Sequence, residues 1–246
     1  MSETLRERLA LVQAQIATAA AAAGRQVHEI QLIAVSKTHP PEVIAEAASA
    51  GISDFGENRV QEAQRKIAAL HHLHPRPRWH LIGHLQRNKA RLAVELFDLI
   101  HSVDSLRLAE TLDRYARERD RRLPILLQVN VSGETSKEGF ALTGGINNEP
   151  AYRVFLHDVE AILQLPALEV RGLMTIAPIV DHPDQARPYF AALRELRDDL
   201  ARRYPNTDWR ELSMGMSDDL TAAIAEGATM VRIGRAIFGE RHYDQG

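Results

Sequence analysis

The chain contains no cysteine, which excludes disulfides, thiolate nucleophiles and cysteine-built zinc sites. It has no strong charge of either sign. Thirty Lys and Arg residues stand against 33 Asp and Glu, a net charge of −3, so neither nucleic acid nor an anionic membrane surface is expected as a general partner. No apolar run approaches the roughly 20 residues of a membrane-spanning helix. The N-terminal stretch MSETLRERLALVQAQIATAAAAAG places charges and glutamines where a signal peptide would carry an unbroken apolar core. A cytoplasmic location is expected. What the chain has in plenty is core-forming material: 45% of its 246 residues are hydrophobic, enough for one large domain or two small ones and too much for a disordered chain.

The first segment reads as a helix over about residues 2–23, with Leu5, Leu9, Val12 and Ile16 at helical spacing, a weak capping signal at Ser2 and a stop at Gly24. From about residue 30, short apolar, β-branched runs alternate with helix-like segments. The runs are IQLIAVS (30–36), ISDFG (52–56), WHLIGHL (79–85), FDLIHSV (97–103), ILLQVNVS (125–132), LEVRGLMTI (168–176), WRELSMG (209–215) and TMVRIG (229–234). Continuous apolar strands alternating with helices indicate a parallel sheet covered by helices. Eight such units without a linker predict an α/β fold of one kind, a single closed (β/α)8 TIM barrel, with a doubly wound open sheet as the alternative. The whole chain, 1–246, then forms one domain, with the barrel over about residues 30–243.

In such a barrel the chemistry sits at the carboxyl ends of the strands. The candidates there are Ser36 and Lys37 after the first run, Glu57 and Asn58 after the second, and His84, Gln86 and Asn88 after the third. His101, Ser102 and Asp104 follow the fourth, Asn130 and Lys137 the fifth, and Thr175 the sixth. The last two runs end in SMGMSDDL and RIGRAIFG. Barrels often hold a phosphate between these two loops, where glycines and helix starts expose backbone N–H groups. The plainer reading is that Gly215 and Gly234 only shape tight turns and that Ser217-Asp218-Asp219 caps a helix. Lys37, which barrel closure sets beside the eighth strand, is a counter-charge to such a phosphate or an amine that condenses with a ligand carbonyl.

Other signals have bland explanations. The histidines of HHLHPRPRWH (71–80) lie in a proline-marked loop without partner carboxylates, a poor metal set. RYARERDRR (114–122) is interrupted by Glu118 and Asp120, as in a solvated helix end. Met214 and Met216 pack under a turn. His101 and Asp104 form an acid/base pair, or Asp104-Ser105 caps the next helix.

Taken together, AVSKTHP, DFGENRVQE, WHLIGHLQRNK, VNVSGETSKEGF, RGLMTIAP, LSMGMSDDL and VRIGRAIFG resemble, in order and spacing, the pyridoxal phosphate homeostasis proteins of the YggS/PROSC type. These look like the N-terminal barrel domain of alanine racemase standing alone. The resemblance spans about residues 30–243. It implies a racemase-like barrel with pyridoxal 5′-phosphate held as an aldimine on Lys37. Ser213, Gly215, Ser217 and the backbone of Gly234 and Arg235 would bind the phosphate. Arg232 would face the pyridine nitrogen, Asn58 would line the pocket, and Lys137 would be accessory; no metal is implied. His84 and Arg87 are accepted variants of the third motif, and Arg59 stands where the family often has Tyr.

The implied role is vitamin B6 homeostasis and amino-acid balance, with pyridoxal-phosphate-dependent apoenzymes as recipients; separately, the long N-terminal helix packs on its own barrel or on a neighbour, and a monomer is expected. An arginine facing the ring nitrogen cannot accept its proton, which weakens the electron sink. The racemase also takes its second base from a tyrosine of an added domain, for which Tyr243 in the terminal GERHYDQG is a poor substitute. A carrier without catalytic residues is therefore expected. The alternatives are a weak pyridoxal-phosphate-dependent amino-acid racemase and a phosphosugar-binding barrel enzyme using Lys37.

Overall fold

The apolar runs pair side by side, all parallel, in the computed structural model, which describes residues 4–239. The strands are β1 (Gln31–Val35), β2 (Asp54–Glu57), β3 (Arg78–Leu81), β4 (Leu99–Val103), β5 (Leu123–Asn130), β6 (Phe140–Ala141), β7 (Leu168–Met174), β8 (Glu211–Ser213) and β9 (Met230–Ile233). The helices are α1 (Leu5–Ala22), α2 (Pro41–Ser49), α3 (Val60–Ala69), α4 (Ala90–Leu96), α5 (Leu106–Arg117), α6 (Glu149–Leu163), α7 (Arg187–Arg203), α8 (Leu220–Ala225) and α9 (Arg235–Phe238). Strand order is β4-β3-β2-β1-β9-β8-β7-β5, and pairing of β4 with β5 closes the ring. The two-residue β6 hangs on the end of β5. This is the expected eight-stranded parallel barrel, and the open-sheet alternative falls with the β4–β5 pairing.

Two of the strand ends that differ from the sequence pattern bear on the site. The third run stays paired only to Leu81, because the chain turns at Gly83, where a Cβ would lie 2.5 Å from the Asn58 carbonyl oxygen. The second strand extends one residue past Gly56, so Glu57 is fully buried rather than exposed at a mouth.

Side chains alternate across each strand, and the barrel therefore has two separate cores. The outer one, between strands and helices, takes most of the apolar residues, including Phe55, Trp79, Phe97 and Phe190. The inner one is a small cluster of Ile33, Leu99, Leu126, Met174 and Met230. The rest of the interior is polar: Asp54, His80, His101, Ser213 and Arg232 are all buried.

Helix α1 starts one turn later than the pattern at Ser2, a residue outside those described. Thr4 accepts from Glu7 N while the Glu7 carboxylate accepts from Thr4 N, a reciprocal cap. Its buried face of Leu5, Leu9, Val12, Ile16, Ala19 and Ala20 packs on its own barrel. Arg8 Nε donates to Ile237 O at 2.7 Å, and Arg25 Nη1 donates to Ala228 O at 2.7 Å. These bonds pin the last β-strand region, and with it the turn at Gly234.

Candidate functional site

A cleft of about 820 Å³ opens at the carboxyl ends of the strands. Lys37, Asn58, Lys137, Ser217, Arg232, Gly234 and Arg235 all line it. Seven of the residues singled out from sequence thus meet in one place, although they span 199 positions of chain from Lys37 to Arg235.

Lys37 leaves β1 in a tightly braced segment. Ser36 Oγ donates to Glu57 Oε1 at 2.6 Å, and Lys66 Nζ donates to Ser36 O and Glu57 Oε1, both at 2.7 Å. Lys66 also reaches Glu62 Oε1 at 2.6 Å, and that oxygen accepts from Thr38 N. Thr38 sits at φ +69°, a region that a β-branched residue enters only when its surroundings hold it there. The residues on either side of Lys37 are therefore fixed by one ion-pair network. Burial pushes the Glu57 carboxyl above its usual range, against the opposing pull of Lys66. Lys66 escaped the sequence reading, but a signal existed: Val60, Ala63 and Lys66 share the buried face of α3, and a lysine on an apolar stripe needs a buried partner.

Arg232 occupies the floor. Its Nη1 donates to Ser213 Oγ at 2.6 Å and its Nη2 to Thr175 O at 2.8 Å. Burial lowers it to about 10, with the Asp219 charge working the other way, so the guanidinium stays charged at neutral pH. Behind it runs a row of buried polar groups. Ser213 Oγ lies 2.8 Å from His101 Nδ1, His101 Nε2 lies 3.0 Å from His80 Nδ1, and His80 Nε2 lies 2.9 Å from Asp54 Oδ1. Burial pushes Asp54 up, but hydrogen bonds from His80, Ser53 and Arg78 prevail and hold it at about 2. Burial drives His101 well below the ordinary histidine range.

The two glycine turns meet at one rim. Gly215 has φ +94°, and a Cβ there would lie 2.5 Å from Ala223 Cβ. Its carbonyl accepts from Arg232 N at 2.9 Å. Arg235 Nη2 spans the gap to both oxygens of Asp218 at 3.0 Å, tying one turn to the other. The first N–H groups of α9, at Arg235 and Ala236, have no intrahelical acceptor and are available to an anion.

Several expectations need correcting. The Ser213 hydroxyl is buried between Arg232 and His101, and Gly215 is demanded by its backbone angle and by Ala223. Asp219 stands at the N-cap of α8, yet its carboxylate turns back to accept from Met216 N at 2.6 Å instead of capping. His101 is no partner of Asp104. Asp104 pairs with His84 Nδ1 at 3.1 Å and accepts from Ser105 Oγ, while Ser105 caps α5. Met216 is exposed at the rim rather than packed beneath the turn. Of the clustered histidines, His80 alone enters the barrel, and His71 stays outside on Ala68 O. Tyr243 lies outside the described residues.

Lys137 stands across the barrel from Lys37, in the loop after β5. Asn130 organises that loop: its Nδ2 donates to Glu134 O at 2.9 Å and Lys137 O at 3.2 Å, and its Oδ1 accepts from Gly133 N at 3.0 Å. Lys137 Nζ is 3.0 Å from Glu134 Oε2.

Comparison with known proteins gives consistent findings. The family model described as alanine racemase, N-terminal domain, matches residues 8–242. The pyridoxal phosphate homeostasis protein of Aquifex aeolicus is 45% identical over 237 residues, covering 96% of this chain and 98% of its own. The structure of PipY from Synechococcus elongatus with PLP bound superposes with a TM-score of 0.80 at 43% identity, over 96% of this chain and all of that one. Alanine racemase of Clostridium difficile, at 12% identity and a TM-score of 0.67, shares the fold over 94% of this chain and 57% of its own.

Proposed function

The chain belongs to the pyridoxal phosphate homeostasis protein family, built on the alanine racemase N-terminal domain, and from that premise we propose that it holds pyridoxal 5′-phosphate covalently on Lys37. The observation that carries this reading is the cleft itself. A half-buried lysine on one wall, a buried arginine on the floor and a turn with available N–H groups at the rim converge in about 820 Å³, a volume suited to a ligand of this size. The aldehyde of pyridoxal phosphate condenses with a primary amine with loss of water, which makes a lysine within reach a covalent tether.

Each residue has a distinct part. Lys37 presents the amine, and its braced neighbours fix the direction from which it does so. Ser217 and the N–H groups around Gly234 and Arg235 bind the phosphate. Gly215 shapes that turn, and Ser213 acts through Arg232 instead of touching the phosphate. Arg232 donates to the ring nitrogen, and as a charged guanidinium it keeps that nitrogen unprotonated. Asn58 and the accessory Lys137 complete the walls. An unprotonated ring is a poor electron sink, so the protein is a reservoir that delivers the cofactor to apoenzymes, not a racemase. The exposed rim residues Ile179, Met216 and Asp218 leave the ligand open to solvent and to a recipient.

Mixing the protein with pyridoxal phosphate is expected to give a bound chromophore that borohydride fixes on Lys37, read by peptide mass. A Lys37→Ala variant that kept the same chromophore would overturn the assignment. Sustained deuterium exchange at the α-carbon of amino acids would instead identify a racemase.

A further inference from the structure

The buried polar row beneath the cleft has a direction, and the atoms dictate it. Arginine only donates, so Ser213 Oγ must accept from Arg232 Nη1. The serine hydroxyl hydrogen then has one neighbour left among the described residues, His101 Nδ1 at 2.8 Å, which must be the accepting nitrogen. A neutral His101 carries its proton on Nε2 and donates it to His80 Nδ1. His80 in turn carries its proton on Nε2, facing the ionised Asp54. Every donor meets an acceptor along the row. Protonating His80 on both nitrogens would reverse His101, turning an N–H toward Ser213 and stranding the hydroxyl hydrogen in a fully buried site. Beyond Asp54, Arg78 and Gln31 Nε2 anchor the far end at the amino-terminal face of the barrel.

We propose that Asp54, His80 and His101 are positioning residues that act through Ser213, forming a hydrogen-bond column of single polarity that fixes the Arg232 guanidinium on the cleft floor. With Nη1 held by Ser213 and Nη2 by Thr175 O, the guanidinium plane cannot swing, and its remaining N–H groups keep one direction. The geometry of the ligand's ring nitrogen is thus set from the opposite end of the barrel. The ligand-facing part of this inference rests on the cleft holding pyridoxal phosphate; the column itself does not.

The test has one arm for each part. Long-range proton–nitrogen correlation on the unliganded, nitrogen-15-labelled protein at neutral pH is expected to show His80 and His101 neutral, both protonated on Nε2. The Arg232 side-chain N–H signals are expected to be resolved and slowly exchanging in the wild type and averaged in His101→Leu. An Nδ1-protonated tautomer or an imidazolium at either histidine overturns the column. In the second arm, His101→Leu and Asp54→Asn should each weaken pyridoxal phosphate binding, by about tenfold for His101→Leu, the size of one hydrogen bond to a charged group. Both should also move the absorption maximum of the bound chromophore. The double variant His101→Leu/Ser213→Ala should bind no more weakly than Ser213→Ala alone, because both act through one contact. Additive losses with an unmoved spectrum would reduce these residues to core packing and overturn the proposal. A variant that fails to fold leaves the wild-type tautomers to decide. A wild type that takes up no pyridoxal phosphate would overturn the reading of the cleft, while the tautomers and the Arg232 signals still judge the column.

Discussion

The two lysines that face each other across the cleft are held in opposite ways. Lys37 follows β1 in a segment whose neighbours are clamped by Glu57, Glu62 and Lys66, with Lys66 and Glu57 almost wholly buried. Lys137 rides on a loop held by neutral side chains, Asn130 through Glu134 O and Lys137 O and Gln128 through Glu138 O, and its ion-pair partner Glu134 is exposed. Lys66 Nζ donates to three oxygens, and a buried charge so partnered locks the backbone beside it. A loop held by a few neutral hydrogen bonds, with an exposed carboxylate as its one ionic partner, opens more easily. One wall is built to fix an amine in place and the other to yield.

The largest expected break in that contrast is Lys66→Met. It strands the buried Glu57 carboxylate and should cost about 3–5 kcal/mol of stability in denaturant unfolding. The pH dependence has a definite sign. Burial already raises the Glu57 pKa and Lys66 opposes that rise, so the substitution raises it further. A raised carboxyl favours the fold while protonated and loses that support as pH climbs through the folded-state value. The Lys66→Met defect should therefore shrink in acid; a defect that deepens in acid would mean that Glu57 is not the stranded group.

A smaller effect is expected on the other wall. Asn130→Ala should lower global stability by about 1 kcal/mol, while amide exchange across residues 132–139 accelerates and that of β1 stays unchanged. Equal acceleration in both places would remove the distinction between the walls. Smallest of all, Glu134→Gln should change stability by less than about 1 kcal/mol, because the Glu134 carboxylate is exposed to solvent. A larger loss, measured in the same unfolding assay, would show that the Lys137 loop is more tightly held than its contacts indicate.

The barrel was legible because its signal is local. Each strand is a short apolar run, each helix a periodic one, and eight repeats leave few ways to close. Lys37 and the turns at Gly215 and Gly234 were legible for a related reason, since barrel topology assigns strand ends to one face. Ser213 was assigned to a phosphate from its place at the end of the seventh run, whereas the sharing of its hydroxyl between Arg232 and His101 depends on partners from two other strands. His101 was paired with Asp104 on nearness in sequence, whereas its bonded partners are 21 and 112 residues away. A hint was present: His80 and His101 are polar residues inside otherwise apolar strands, and such residues require buried partners.

By itself, then, the sequence determined the alternation of strand and helix, the exclusion of thiol chemistry and the lysine at the exit of the first strand. All follow from composition and from periods of two and 3.6 residues. Only the tertiary structure decided which polar groups meet. The Ser36–Glu57–Lys66 clamp and the Asp54-to-Arg232 column join residues on different strands and helices. Their hydrogen bonds exist because ring closure brings those strands within about 3 Å contact range, a condition that no local pattern encodes.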